Sequence, residues 1–452
     1  MNRLLTQKFF IPLSHFRRRR HADMRAVFAA YEEGLKFRQS AKQWSEEQKR
    51  AWILQTLRRA VRRAASETDY YAELFEKINF DPKADFTFED YARLPVLERA
   101  DVLEAQEKLI TKNIPREQLQ KDATGGSTGT PTEIWLGAEE RGWKESGIDF
   151  SFERIGVSNG AKTAYFWGHH LDPQTSDGIA DRLRAFVTNT RWFDCFRLSP
   201  EVFSRYHREF ERWKPDCIVA YAGALGQFAE FLRENKIRPK NYPRVCFVTG
   251  AEKLYAQHRA AIEEVFGKPV YERYGGRDFG GAAIQTGAPE NLEYEIDWAW
   301  ALVEPETSEE NAPVIITKLH ADAMPMLRYR TGDVGRFAAN SGSGHPAFFL
   351  REVVGRELDR IWLTDGRSVH GSTMPHLLKD FAVREFQFIQ AEDYSVELQI
   401  APKNGFDIEQ KNSILQTIET IFPDLPVKLK IVEEVQRTRA NKLRPVITNV
   451  KK

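Results

Sequence analysis

The pattern of hydrophobic and polar positions begins as a helical one. The segment RAWILQTLRRAVRRA places Ile53, Leu54, Leu57 and Val61 at helical spacing, with arginines on the opposite face. We expect the apolar stripe to enter a core and the arginines to face solvent, so neither needs a functional role. Asp or Thr before the apolar segments that follow is typical of helix N-caps. The first hundred residues are therefore predicted to be mainly helical.

From Thr132 onward, short β-rich segments alternate with helical ones. AYFWG, DCIVAY and PRVCFVTG have the composition of strands, whereas GALGQFAEFLREN and HRAAIEEVFG have helical spacing. Such alternation predicts parallel βαβ layers, whose ligand sites lie at the carboxyl ends of the strands. After VYERYGG the chain becomes rich in strands, which predicts a smaller β subdomain.

The last part of the chain has its own pattern. Beyond Gly355, short strands and one amphipathic helix, IEQKNSILQTIETIF, predict a compact α+β unit of about a hundred residues. We therefore predict an α/β protein with a large N-terminal domain, 1–354, of layered mixed sheets with helices and a β subdomain. This domain would begin with helices over about 1–120, and a small, mobile α+β C-terminal domain, 355–452, would follow it.

Composition supports a globular protein and excludes several partners. Of 452 residues, 42% are hydrophobic and 29% charged, and 66 Lys and Arg oppose 65 Asp and Glu. This balance provides no global field that would recruit nucleic acid or anionic lipid. No segment approaches the ~20 apolar residues of a transmembrane helix, and we identify no secretory signal. The cysteines, Cys195, Cys217 and Cys246, are far apart, which predicts reduced thiols in a cytoplasmic protein.

Candidate chemistry begins with ATGGSTGTPTEIW, Ala123–Trp135. Consecutive Gly and Ser or Thr can direct backbone N–H groups and hydroxyls at phosphate oxygens. The order of residues does not match a P-loop, and the β-like TEIWL that follows argues against a helix there. Taken alone, an ordinary Gly/Thr turn between strands explains the segment better.

Other segments change that balance. In YERYGGRDFGG, Asp278 follows glycines at a strand end and could hold a divalent ion. In LRYRTGDVGRF, Asp333 could accept hydrogen bonds from a ribose diol, or it is an ordinary turn aspartate. In RTRANKLRPVI, Lys442 lies in a basic, Pro-containing loop that alone would be a solvated tail.

A substrate pocket is suggested by TAYFWGHHLD. Tyr165 and Trp167 would form an aromatic wall, and His169 and His170 would be polar anchors for an aryl or acyl carboxylate. A buried strand end with two satisfied histidines explains the segment equally well.

The order of these segments resembles the adenylate-forming superfamily of acyl-CoA synthetases, peptide-synthetase adenylation domains and luciferases. It is most similar to the phenylacetate–CoA ligase branch and its CapK-like relatives, from about Leu94 to Pro445. The resemblance implies an AMP-forming ligase: ATP activates a carboxylic acid to an acyl adenylate with release of pyrophosphate, and CoA then takes the acyl group. It also implies ATP, Mg²⁺ and CoA as ligands and a small-molecule carboxylate as partner, and it is compatible with a homodimer.

The resemblance also implies roles for individual residues. Asp278 would bind magnesium, Asp333 the ribose, and Lys442 would bridge the carboxylate and the α-phosphate. Arg356 would lie at the inter-domain hinge near the ribose, with a catalytic role. The glycine-rich loop would bind phosphates, VTGAEKL would line the adenine, and the aromatic residue of YGGRD would stack on it. The implied ATP- and AMP-binding residues are Thr124, Gly125, Gly126, Ser127, Thr128, Gly129, Thr130, Gly250, Ala251, Glu252, Tyr274, Gly275, Gly276, Arg277, Asp333 and Arg356.

The sequence also departs from the family pattern. Thr132 stands where many members have a lysine, and Arg277 and Asp278 stand where the wider family has Thr and Glu. Leu358 occupies the usual hinge offset with Asp359 directly after it, so either is a candidate hinge residue. Some relatives carry a cysteine-containing metal cluster after the aromatic motif, but GGAAIQTGAPEN has no cysteine, so we expect no structural zinc.

Two other functions are compatible with these residues. The activated acyl group, or AMP itself, could pass to an amine or hydroxyl acceptor, as in polysaccharide or coenzyme modification. Alternatively, the chain could be a nucleotide-binding scaffold without catalysis. Thr132, Arg277 and Asp278 are the support for a scaffold, whereas Lys442 and Asp333 argue against it.

Overall fold

The chain forms two compact units. The computed structural model describes residues 22–123, 132–167, 188–195, 198–288, 291–338, 342, 345–356, 360–371, 374–378, 381–437 and 443–450. The large unit comprises Met1–Leu254, His258–Thr331 and Gly335–Val353. The small unit comprises Tyr255–Gln257, Gly332–Val334 and Val354–Lys452. Within the described residues, no helix is long and apolar enough to cross a membrane.

Helices open the large unit, as the sequence predicts. The second of them begins with a capping box, in which Ser45 accepts from the backbone of Gln48 and the Gln48 side chain accepts from Ser45. Ile53, Leu57 and Val61 lie on its buried face and are fully buried. The helices are α1 (Ala22–Ser40), α2 (Glu46–Glu67), α3 (Asp69–Lys77), α4 (Phe88–Ala92) and α5 (Arg99–Glu104). A hairpin of β1 (Gln120–Ala123) and β2 (Glu133–Leu136) and the long helix α6 (Ala138–Arg154) follow.

Parallel strands alternate with helices in the middle of the chain. Their register places Tyr165 beside Val219, Val219 beside Val248, and Val248 beside Tyr271. The carboxyl ends of these strands therefore meet at one edge of the sheet, as the alternating pattern predicts. The elements are β3 (Thr163–Trp167), β4 (Thr190–Asp194), α7 (Pro200–Trp213), β5 (Cys217–Tyr221), α8 (Ala222–Glu234), β6 (Cys246–Gly250), α9 (Ala256–Phe266) and β7 (Val270–Gly276).

An antiparallel half continues the same sheet. The eleven strands lie in the order β10-β11-β12-β13-β9-β8-β7-β6-β5-β3-β4, so β7 joins the parallel and antiparallel halves. Apolar residues cover both faces, including the fully buried Phe166, Phe247 and Leu302. The added strands are β8 (Gly280–Thr286), β9 (Glu293–Ile296), β10 (Ala301–Pro305), β11 (Asn311–Lys318), β12 (Tyr329–Phe337) and β13 (Phe349–Arg356).

The small unit has its own α+β core. Its sheet has the order β18-β17-β16-β19, and Phe388, Leu398 and Ile414 are fully buried in its core. Asp407 caps the amphipathic helix by accepting from the backbone of Gln410. The elements are β14 (Arg360–Trp362), β15 (Ser368–His370), α10 (Met374–Leu378), β16 (Val383–Gln390), β17 (Val396–Pro402), α11 (Ile408–Ile421), β18 (Val427–Ile431) and β19 (Val446–Thr448).

Candidate functional site

An aromatic surface lies at the carboxyl ends of the parallel strands. Trp167 ends β3 and stacks on Tyr221 at the end of β5, with ring centroids 4.3 Å apart and planes 18° from parallel. Gly250 ends β6, and a Cβ added there would lie 3.9 Å from the Trp167 ring. Tyr165, one step deeper on β3, stacks on Trp192 of β4 at 4.5 Å. Tyr165 and Trp167, which the sequence predicts to line a substrate pocket, therefore lie together at this sheet edge, and their role stays a prediction.

The turn after β6 is held in an uncommon conformation. Ala251 has a φ of +65°, in the left-handed region that side chains seldom adopt. Two contacts support the turn: Glu252 accepts from the backbone N–H of Gly223, 3.2 Å away at the start of α8, and Leu254 donates its N–H to Glu272 of β7 at 3.0 Å. Strained backbone that the surrounding structure maintains is typical of ligand sites.

Glycines in the β7–β8 hairpin are required by packing. A Cβ at Gly275 would lie 2.6 Å from the carbonyl oxygen of Gly280, and one at Gly276 would lie 2.4 Å from Asp278 Oδ1. Tyr274 is only 7% exposed, and its hydroxyl donates to Thr331 at 3.3 Å. Its stacking on adenine stays a prediction, and it would have to use the small part of the ring that is exposed.

Arg277 links this hairpin to the base of the glycine-rich segment. Its guanidinium donates to the Asp122 carboxylate at 3.0 Å and to the Ala123 carbonyl at 3.4 Å. Asp122 and Ala123 end β1, directly before Thr124. The fold thus brings the RD pair of the YGGRD motif to the strand that leads into the implied phosphate loop.

Asp278 is held from the opposite side of the hairpin. The Tyr329 hydroxyl donates to Asp278 Oδ2 at 2.9 Å, and Oδ1 lies over Gly276. Mg²⁺ in nucleotide sites is usually bound by one or two carboxylates together with phosphate oxygens. A single positioned carboxylate, directly after Arg277 in the chain, fits that donor set.

Two cations near this edge were not singled out from the sequence. Lys144 lies on α6 and Arg273 on β7, directly before the Tyr-Gly-Gly motif. Burial lowers the pKa of both side chains, although Arg273 stays charged because a guanidinium does not lose its proton in proteins. The one signal in the sequence is a positive charge inside the strand segment VYERYGG.

The small unit contains the implied ribose residues. Arg356 Nε lies 3.0 Å from Asp333 Oδ1, and the Asp333 side chain is 12% exposed whereas that of Arg356 is 49% exposed. A carboxylate oriented by an arginine can accept hydrogen bonds from a diol with its remaining lone pairs. The two residues are therefore adjacent, as the resemblance implies.

Several predicted site residues fall outside the described part of the chain. They are Thr124, Gly125, Gly126, Ser127, Thr128, Gly129, Thr130, His169, His170, Leu358, Asp359 and Lys442.

Solved structures share this fold. The 2-hydroxyisobutyryl-CoA ligase in complex with 2-HIB-AMP, in the postadenylation state, is 18% identical, with a TM-score of 0.70 and 90% of both chains covered. ATP-bound MatB from Rhodopseudomonas palustris is 14% identical, with a TM-score of 0.51 over 74% of this chain and 68% of that one. The predicted α/β architecture, that of the adenylate-forming CoA ligases, is confirmed.

Sequence comparison finds relatives in two groups. Residues 361–449 match the CapK C-terminal domain model. Protein CapK of Staphylococcus aureus is 23% identical over 400 residues, covering 85% of this chain and 86% of CapK. The phenylacetate–coenzyme A ligase of Thermus thermophilus is 24% identical over 303 residues, covering 64% of this chain and 65% of that ligase. The resemblance to the CapK-like and phenylacetate–CoA ligase branch is confirmed.

Proposed function

We propose that the protein is an ATP-dependent ligase that converts a carboxylic acid to an acyl adenylate and then transfers the acyl group to CoA. The observation that carries this proposal is the contact of Arg277 with Asp122. It supports a nucleotide site because it joins the YGGRD motif to the strand that directly precedes the glycine-rich motif, far away in the chain, and the resemblance assigns both motifs to ATP binding. Asp278 and the aromatic edge lie in the same part of the large unit.

The chemistry requires charge neutralisation more than a nucleophile. A carboxylate that attacks the α-phosphorus of ATP approaches another anion, so positioned cations and N–H donors contribute most of the rate enhancement. Asp278 would hold Mg²⁺, which supplies positive charge to the phosphates when it is bound. Lys442 would supply an ammonium to the carboxylate and the α-phosphate, and Asp333 with Arg356 would orient the ribose.

The match to CapK extends over more of the chain than the match to the CoA ligase. The relative that matches 85% of the chain is CapK, whereas the phenylacetate–CoA ligase of Thermus thermophilus matches 64%. The family model that covers residues 361–449 is also the CapK C-terminal domain. Transfer of the acyl group or of AMP to an amine or hydroxyl, instead of transfer of the acyl group to CoA, stays the alternative for the second step.

Pyrophosphate release tests the first step and mass spectrometry the second. Purified protein is incubated with ATP, Mg²⁺ and a panel of aryl and aliphatic carboxylates, with and without CoA. We expect carboxylate-dependent pyrophosphate release and an acyl-CoA product, and we expect Lys442→Ala to abolish the release. An acyl adenylate without thioester would favour the alternative acceptor. ATP binding without release for any acid would contradict adenylation.

A further inference from the structure

Three consecutive residues tie the turn after β6 to three different elements. Glu252 accepts a hydrogen bond from the backbone of the first turn of α8. Lys253 donates to Glu352 of β13 at 2.7 Å. Leu254 donates its backbone N–H to Glu272 of β7 at 3.0 Å. The turn that the resemblance assigns to the adenine is therefore fixed by the large unit at three successive positions.

Glu272 acts on the backbone of the turn. Its Oε1 accepts from the N–H of Leu254, whereas Glu252 and Lys253 bond through their side chains. The Glu272 side chain is 15% exposed, and that of Glu352 is 36% exposed. A hydrogen bond from a backbone N–H to a carboxylate is about twice as strong as one between neutral groups. Glu272 therefore restrains the path of the chain directly and from a largely buried position.

The second oxygen of Glu272 is held by a network of its own. Oε2 accepts from Arg259 of α9 at 3.3 Å and from Gln285 of β8 at 3.2 Å. Arg259 also donates to Gln285 Oε1 at 2.8 Å, and the same oxygen accepts the backbone N–H of Glu272 at 3.0 Å. The charge of Arg259 offsets that of the carboxylate in this largely buried position. Glu272 thus holds the turn and also the helix that directly follows it.

β7 connects Glu272 to the YGGRD motif. Glu272 lies two residues before Tyr274 on this strand. β6 and β7 approach closely here, because a Cβ on Gly250 would lie 3.4 Å from the Arg273 carbonyl oxygen. The resemblance assigns both the turn and the aromatic residue of the motif to the adenine. A fixed spacing between two such segments preorganises a site for a flat base, which lowers the entropy lost on binding.

We propose that Glu272 is a positioning residue for adenine recognition. Its carboxylate holds the 251–254 turn against β7, and it thereby sets the affinity for ATP and the preference for adenine over other bases. Glu272 acts through the turn and not by touching the nucleotide, because both of its oxygens already accept from the protein. The inference rests on the proposed function, because it takes ATP as the nucleotide.

Binding of ATP and of GTP, each with Mg²⁺, tests the inference. Calorimetry gives the Kd of both nucleotides for the wild type, Glu272→Ala and Glu272→Gln. We expect Glu272→Ala to weaken ATP binding by about 10-fold or more, the effect of losing a charge-assisted contact that orders the turn. GTP shares the ribose and phosphates but not the base, so its Kd should change by less than about 3-fold. Glu272→Gln should recover part of the ATP affinity, because an amide oxygen can still accept the N–H of Leu254.

Glu263→Gln is the matched control. Glu263 lies one turn after Arg259 on α9 and pairs with the same guanidinium at 3.6 Å, and among the described residues no contact joins it to the turn. Its substitution should leave both Kd values unchanged. Equal weakening of ATP and GTP by Glu272→Ala, or an effect of Glu263→Gln as large as that of Glu272→Ala, would overturn the inference. Thermal unfolding shows whether Glu272→Ala is folded. If it is not, the isosteric Glu272→Gln decides, and an unchanged preference for ATP in that variant would overturn the inference.

Pyrophosphate release tests the proposed function separately. If the wild type binds ATP but releases no pyrophosphate with any acid, the proposed function fails, and the two Kd values still decide the inference. If release occurs, Glu272→Ala should raise the KM for ATP by about 10-fold and leave kcat and the KM for the acid within about 3-fold. A lower kcat with an unchanged KM for ATP would contradict the positioning of the base. A wild type that does not bind ATP would overturn both the inference and the proposed function.

Discussion

Charged side chains in the large unit differ in burial and pairing between its interior, here called the scaffold, and the carboxyl edge of its sheet. In the scaffold, Lys318 bonds to Glu140 at 2.7 Å and Arg328 to Glu304 at 3.0 Å, with every one of these side chains at most 5% exposed. At the carboxyl edge, Lys144 and Arg273 are only half-buried, and they make no such bond among the described residues. A protein keeps a costly buried charge only if something offsets it. The fully buried charges therefore need their partners, whereas the half-buried ones can be solvated by water.

Breaking a scaffold pair should have the largest effect. Lys318→Met leaves the Glu140 carboxylate buried without its cation, and we expect unfolding to become easier by about 3–5 kcal/mol. The double variant Lys318→Met with Glu140→Leu removes both charges and should recover most of that loss. Denaturant unfolding at neutral pH measures both variants.

The contrast with Arg273→Met makes this prediction specific. Both changes remove one cation and insert the same side chain, but Arg273 is only half-buried and forms no ion pair among the described residues, so we expect its loss to cost less than about 1 kcal/mol. If Lys318→Met proved as harmless as Arg273→Met, the distinction between the paired and the unpaired charges would be wrong.

Acid should remove the stabilisation that Glu139 provides through its contacts with His320 and Arg63. Burial raises the pKa of Glu139, but the hydrogen bond from His320 and the charge of Arg63 outweigh it and bring the pKa to about 2, below the ordinary 4.5. The unfolded chain then takes up the proton first, so this contribution is present above about pH 4.5. It is lost as the pH falls toward 2.

The predicted loss is at most about 3 kcal/mol of unfolding free energy between pH 5 and pH 2. Glu139→Gln cannot titrate, so the difference between wild type and variant isolates this carboxyl from the others. A difference that stays constant across this range would mean that the pKa of Glu139 is not depressed.

Local patterns explain why much of the fold could be predicted. The spacing of Ile53, Leu57 and Val61 predicts the buried face of α2, and the segments AYFWG and PRVCFVTG form β3 and β6. These elements are predictable because the periodicity of apolar residues depends only on residues that are close in the chain. The partner of Glu140 has no such signal. Lys318 lies in PVIITKL, a segment whose pattern indicates only a buried strand. The pair exists because the fold brings α6 and β11 together.

The candidate site was predictable to the extent that motifs mark it. The motif order indicates Arg277, Asp278 and Asp333, but not that Arg277 bonds to Asp122 or that Asp333 pairs with Arg356. Tyr274 shows the limit of motif reasoning, because a residue implied to stack on adenine is only 7% exposed. The burial of Tyr274 depends on the register shift between Tyr274 and Gly275 in the β7–β8 hairpin and on the residues packed around it. The spacing of residues along the chain does not predict either.

Glycine substitutions in the hairpin separate packing from ligand contact. Gly275→Ala places a methyl group 2.6 Å from the Gly280 carbonyl oxygen, and overpacking of this kind costs about 1–3 kcal/mol. Gly281, its partner across the ladder, is the matched control, because a methyl group there would meet only Ile148 at 3.9 Å. We expect Gly281→Ala to change unfolding by less than about 0.5 kcal/mol.

ATP affinity is the second measurement on the same two glycine variants. Gly275→Ala should weaken ATP binding, measured by calorimetry, because the hairpin that carries Arg277 and Asp278 must shift. If Gly281→Ala were equally harmful, the requirement for glycine would come from the hairpin as a whole and not from the close approach to Gly280.

The half-exposed pair of Arg277 and Asp122 should have the smallest effect on stability. Their side chains are 37% and 24% exposed, between the scaffold pairs and solvent. Arg277→Gln is expected to cost about 0.5–1 kcal/mol of unfolding free energy, and high salt should reduce that cost. Arg277→Gln should affect the KM for ATP more than it affects stability, because the pair positions the strand that leads into the implied phosphate segment.

A double-mutant cycle with Asp122→Asn distinguishes positioning from direct contact. If Arg277 acts only through Asp122, either single variant and the double variant should raise the KM for ATP equally. Additive effects would mean that Arg277 also touches the nucleotide. Arg277 would then be a contact residue of the nucleotide and not only a positioning residue for Asp122. The boundary between scaffold and site would in that case lie at Asp122 and not at the hairpin.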